Sequence, residues 1–69
     1  MTNVAQLMTN AKEALAKGNR EIASDNLNKG IGILSKLTIE GVVRTEGTTV
    51  DRWKERFWFT LETNELMED

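Results

Sequence analysis

The chain has 69 residues, 29% of them charged and 39% hydrophobic, with a formal net charge of −2 and neither cysteine nor histidine. That length allows a single small domain, 1–69, near the lower limit for an unaided core. The missing residue types exclude disulfides, ordinary zinc sites and the commonest catalytic bases and nucleophiles, so no enzymatic activity, cofactor or metal is expected.

The N-terminal Met-Thr-Asn-Val-Ala-Gln lacks the basic start and apolar run of a signal peptide, and no apolar stretch is long enough to span a bilayer. The expectation is a soluble, cytoplasmic protein without membrane contact. A small chain with no staples gains stability by self-association or from a larger partner, which makes a homo-oligomer plausible. Charge is uneven: nine basic and seven acidic residues over 1–60 give +2, while Glu62, Glu65, Glu68 and Asp69 give the last nine −4. The acidic tail reads as a solvated terminus or as a strap over basic residues.

Residues 2–17 form the first predicted element. Val4, Leu7, Met8, Ala11, Ala14 and Leu15 recur at helical spacing, with Thr2 as a cap and Gly18-Asn19 as a stop. A second helix begins beyond Asn19, at about residue 20, and runs to about 36, with Glu21 in its first turn and Ile22, Ala23, Leu27, Ile31 and Leu34 as its stripe. The short break implies an antiparallel helical hairpin, and Ala11, Ala14, Ala23 and Gly30 permit close approach. Gly30-Ile-Gly32 weakens the second helix, and Ile31, Ile33, Leu37, Ile39 and Val43 also fit a period of two. The longer helix is preferred. As a phosphate loop the Gly-x-Gly lacks a preceding strand and the required spacing.

Leu7, Gly18, Ala23, Leu27 and Gly30 also fall at the large, glycine, small, large and small positions of a tetratricopeptide unit, which about half the chain thereby resembles. Ala14 stands where that unit carries a large residue, and no repeat follows. What the resemblance implies is the geometry of a tight helical hairpin.

Residues 37–46 alternate and are rich in β-branched types, which predicts a strand, with Gly41 at a bulge and Gly47-Thr-Thr as the turn. All four aromatic residues follow in one window, Trp53, Phe57, Trp58 and Phe59, interleaved with Arg52, Lys54 and Arg56. Residues 49–62 fit a helix, with a stripe of Val50, Trp53, Phe57, Trp58 and Leu61 and a Thr48-x-x-Asp51 capping box. They also fit a strand over 53–62. The strand is preferred because contiguous Phe57-Trp58-Phe59 would spread too widely around a helix and because the first strand needs a partner. Its odd face (Trp53, Phe57, Phe59, Leu61) would then be core. A plain two-residue turn at Glu46-Gly47 would put the faces out of register, so a longer loop or bulge is expected between Glu46 and Trp53. Gly41-Val-Val-Arg and Trp53-Lys-Glu-Arg-Phe-Trp-Phe-Thr-Leu61 together look like the first hairpin of a pleckstrin-homology domain. That likeness implies a hairpin and nothing about lipid.

The predicted fold is therefore α+β: an antiparallel helical hairpin (about 2–17 and 20–36) packed on a β-hairpin (about 37–46 and 53–62), followed by the acidic tail. The outer hairpin face would present Glu40, Val42, Arg44, Arg52, Lys54, Arg56 and Trp58. Exposed tryptophan among cations has the composition of a protein-binding hot spot. Arg44, Arg52, Lys54, Arg56 and Trp58 are the candidate partner-binding residues, in a non-enzymatic interaction module such as a small inhibitor or adaptor. Phage and other mobile elements encode many proteins of this size, an analogy from size alone. The same stripe suits a nucleic-acid-binding regulator stacking on bases, against which the acidity counts. A structural subunit of a larger assembly is a third reading.

Overall fold

Residues 3–66 are described by the structure, a computed structural model, with side chains described through Asn64. Helix α1 (Val4–Ala16) forms where the stripe predicts, burying Val4, Leu7, Met8, Ala11 and Ala14. Its N-cap is Asn3, whose side chain accepts from the Gln6 amide at 2.6 Å. At its other end Gly18 takes φ 77°, and the Asn19 and Gly18 amides donate to the Ala14 and Leu15 carbonyls at 2.8 and 3.0 Å. That bond pair is the Schellman stop, which needs a left-handed residue and so favours glycine.

Helix α2 (Arg20–Ile39) buries Ala23, Leu27, Gly30 and Leu34 and pairs with α1 as the expected hairpin. It runs through Gly30 and Gly32 and three residues past the expected end. Gly30 has a specific reason to lack a side chain: a Cβ there would lie 2.7 Å from Phe57 Cδ1. The packing gained where α2 meets the third helix offsets the roughly 1 kcal/mol that glycine costs a helix.

The expected α+β class holds, with two packed helices and an antiparallel two-strand hairpin. The strand boundaries are corrected. Residues 37–39 continue α2, because Leu37 extends the Leu27–Gly30–Leu34 stripe and the Thr38 hydroxyl satisfies the Leu34 carbonyl at 2.9 Å. Gly41, read as a bulge, is a second Schellman stop: φ is 79°, and the Val42 and Gly41 amides donate to the Leu37 and Thr38 carbonyls at 2.9 and 3.1 Å.

Strand β1 is only Arg44–Thr45 and β2 only Thr48–Thr49, paired Arg44 to Thr49 and Thr45 to Thr48. The link is the plain two-residue turn Glu46-Gly47, with φ of 48° and 85° as a type I′ turn requires. The longer loop does not occur, because residues 53–62 are not a strand and no second face has to be brought into register. They belong to helix α3 (Val50–Leu66). The pleckstrin-like hairpin is therefore absent.

Helix α3 starts at Thr49, whose hydroxyl accepts from the Arg52 amide at 3.2 Å, rather than at the expected Thr48 box. Val50, Trp53, Phe57, Leu61 and Asn64 are buried at spacings of three and four, a stripe that closes the core over α1 and α2. Residues 67–69, the end of the acidic tail, lie outside the described residues.

The hairpin's second task is to hold the start of α1. Glu46 presents both carboxylate oxygens to it, accepting from the Val4 amide at 2.7 Å and the Ala5 amide at 2.9 Å. With Asn3 on Gln6, the first three helical amides are satisfied, and a negative charge sits at the positive end of the helix dipole. The Trp53 indole donates to the Thr45 carbonyl at 2.9 Å, tying α3 to the same hairpin.

Candidate interaction surface

A helix turns by about 100° per residue, so the even-numbered side chains that would share one strand face are dispersed in α3. Arg52 and Arg56 are one turn apart and exposed. Lys54, half-buried, and Trp58, 48% exposed, are also one turn apart, on the opposite flank. Arg44 lies on β1, exposed, with its guanidinium donating to the Gly47 carbonyl at 3.3 Å. The structure does not gather the five expected partner-binding residues on a single hairpin face.

Phe59 takes the central place instead. Expected in the core, it is 72% exposed on the side of α3 away from Phe57, which is fully buried. Three aromatics in a row cannot all reach a core stripe that is about 100° wide. Phe57 takes it, and Trp58 and Phe59 are left outward. Trp58 also stays out of the stripe that the helical alternative assigned to it, which Val50, Trp53, Phe57 and Leu61 fill with Asn64 added.

Trp58 and Phe59 line a shallow depression with Glu55, Arg56 and Glu62. The exposed Arg56, one of those lining residues, has its guanidinium carbon 5.4 Å from the centroid of the buried Trp53 ring. Trp53 in turn meets Phe57 at 6.2 Å between centroids, tilted by 55°. Glu55, Arg56 and Glu62 thus border the outer aromatics, and Arg52 lies one turn before Arg56.

On its other side Phe59 forms one wall of a cleft of about 410 Å³ where the end of α1 and the start of α2 meet α3, with Lys12, Leu15, Arg20 and Asn64 among its lining residues. None of these four was a sequence candidate. Leu15 reads as core and Asn64 as an ordinary helical polar residue, and only the packing of α3 brings them together. Among the described residues no group of three acidic, histidine or cysteine side chains is placed to hold a metal ion, and no helix is long and apolar enough to cross a membrane. Comparison with protein-family models, with characterised proteins and with solved structures finds no match.

Proposed function

We propose that this protein is a non-enzymatic protein–protein interaction module that works through the outer face of α3, centred on Phe59 and Trp58. The observation that carries this reading is the exposure of two adjacent large aromatics, 72% and 48%, on a helix whose core stripe is already complete. Such residues lie outside the buried core stripe and are the types that dominate interface energetics when a partner covers them. Arg56, with its guanidinium over Trp53, supplies a cation beside them.

The bordering charges favour protein over nucleic acid. Glu55 and Glu62 line the same depression, where phosphates would meet carboxylates, and the basic residues of α3 are split between its flanks. A role as inhibitor or adaptor, including one carried by a mobile element, fits a small module whose working surface is one helix.

The test is affinity. A partner captured on the wild-type chain is identified, purified and titrated against the Trp58→Ala/Phe59→Ala double variant, with helix content checked by circular dichroism. A loss of binding of tenfold or more (about 1.4 kcal/mol) in a folded variant is expected. Unchanged affinity removes the reading. Sedimentation of the wild type over a wide concentration range separates a second copy of this chain from a different protein as the partner.

A further inference from the structure

The charges on the outer face of α3 are sorted, and the sorting follows from helical spacing. Trp58 and Phe59 point about 100° apart, the turn of one residue, and both lie outside the stripe of Val50, Trp53, Phe57 and Leu61. Three exposed residues fall in the sector between them, Asp51, Glu55 and Glu62, and all three are carboxylates. No cation lies in that sector among the described side chains. Arg52 and Arg56 stand beyond Phe59, and Lys54 stands beyond Trp58. Along the helix Glu55 and Glu62 bracket the aromatic pair, about 10.5 Å apart at about 1.5 Å per residue, and both line the depression that the two rings form. Phe59 marks the boundary of this acidic sector, for the cleft on its other side is lined by Lys12 and Arg20.

An apolar pair set between carboxylates restricts what can cover it. Nucleic acid brings phosphates against Glu55 and Glu62. A second copy paired through this sector, in either direction, sets carboxylate against carboxylate, and like charges facing each other across an interface cost affinity. A segment with cations on both sides of an apolar centre meets every group with its complement. The seven-residue interval from Glu55 to Glu62 also selects the form of that segment. Seven residues are close to two helical turns, so a second helix laid along α3 repeats its own side chains at the same interval. Glu55, Trp58, Phe59 and Glu62 then stand at i, i+3, i+4 and i+7, the spacing at which one helix reads another.

We infer that the α3 face receives a basic amphipathic helix of a different protein. Its apolar side chains cover Trp58 and Phe59, and two lysines or arginines seven residues apart face Glu55 and Glu62. This rests on reading the α3 face as a protein-binding surface and names the chemistry of the segment that surface takes.

The experiment is an amide-resolved NMR titration of the full chain with three capped, alanine-rich peptides of about 18 residues, long enough to form helix in water. The first carries lysine, leucine, leucine and lysine at i, i+3, i+4 and i+7. The second has glutamates for the lysines, and the third has alanines for the leucines. The first peptide should shift the Glu55, Phe59 and Glu62 amides and the Trp58 indole, while the Trp53 indole, bound to the Thr45 carbonyl, stays in place. It should bind roughly tenfold tighter than the glutamyl peptide, because two exposed attractions replace two repulsions, and tighter than the peptide without leucines. Glu55→Gln/Glu62→Gln, the milder change, should erase the preference for lysine, and Glu55→Lys/Glu62→Lys should reverse it, with helix content checked by circular dichroism. Equal affinity for the lysyl and glutamyl peptides, a preference unchanged in the variants, or shifts centred on the exposed Ile39 and Val43 would overturn the inference. So would self-association that moves the same amides without any peptide. The whole partner separates the inference from its premise. Full affinity for Glu55→Lys/Glu62→Lys with loss in Trp58→Ala/Phe59→Ala would overturn the basic helix and leave the surface standing, whereas no loss in the aromatic double variant would remove both.

Discussion

Helices α1 and α3 are both amphipathic, yet they place their large apolar residues differently. In α1, Val4, Leu7 and Met8 all face the core and Leu15 is half-buried. In α3, Val50, Trp53, Phe57 and Leu61 complete an equivalent buried stripe, and then Trp58 and Phe59 are added outside it. A folding core explains every large side chain of α1 and leaves two of α3 unexplained. That contrast is the basis for proposing α3 as the interaction surface.

The sharpest way to break the comparison is inside the shared core. Phe57 is fully buried against Gly30, and Phe57→Ala should lose about 3–5 kcal/mol. A domain of this size holds roughly that much in total, so the variant should be unfolded at room temperature by circular dichroism. Leu7→Ala, the counterpart in α1, should fall at the lower end of a range of about 2–5 kcal/mol. A folded Phe57→Ala chain would mean that α3 is not the element that closes the core.

How legible each half was follows from the same physics. Helix α1 could be read because its apolar period, its small residues and Gly18 all point one way, and each survives in the structure. The second half misled for an identifiable reason. Leu37, Thr38 and Ile39 are β-branched or alternating, but Leu37 also continues a helical stripe, and packing against the core outweighs intrinsic strand preference. Phe57-Trp58-Phe59 would indeed spread around a helix, as the sequence suggests. Two of the three are left exposed once Phe57 fills the core stripe, and on the proposed reading a partner covers them. Arg56 and Trp58 were visible as candidates by composition, whereas Phe59 was assigned to the core and the Lys12–Arg20–Asn64 cleft has no signature in sequence order at all.

An intermediate effect is expected where the two halves are stitched together. Glu46 accepts from the Val4 and Ala5 amides across more than forty residues of sequence, at a left-handed position where glutamate carries some strain. Glu46→Ala removes both bonds and leaves the strain, so it should lower stability by about 1–2 kcal/mol in urea denaturation. Asn3→Ala, which removes the single bond to the Gln6 amide, should lose about 1 kcal/mol. If Glu46→Ala proves no worse than Asn3→Ala, the hairpin is not the clamp on α1 that its geometry indicates.

The smallest expected effect on stability is the most informative about α3. Trp58→Ser and Phe59→Ser remove more hydrophobic surface than most core substitutions, but from positions 48% and 72% exposed. Because the core stripe is complete without it, Phe59→Ser should stay within about 0.5 kcal/mol of the wild type, as surface substitutions do. Trp58→Ser, being half-covered, should lose more, about 2–3 kcal/mol at about 25 cal/mol per Å² over the covered half of a ring residue of roughly 150–250 Å². A larger loss for Phe59→Ser would mean that the fold itself uses the ring, and the contrast between α1 and α3 would vanish. Near-neutral stability joined to loss of partner binding is the pattern that only a surface built for another molecule produces.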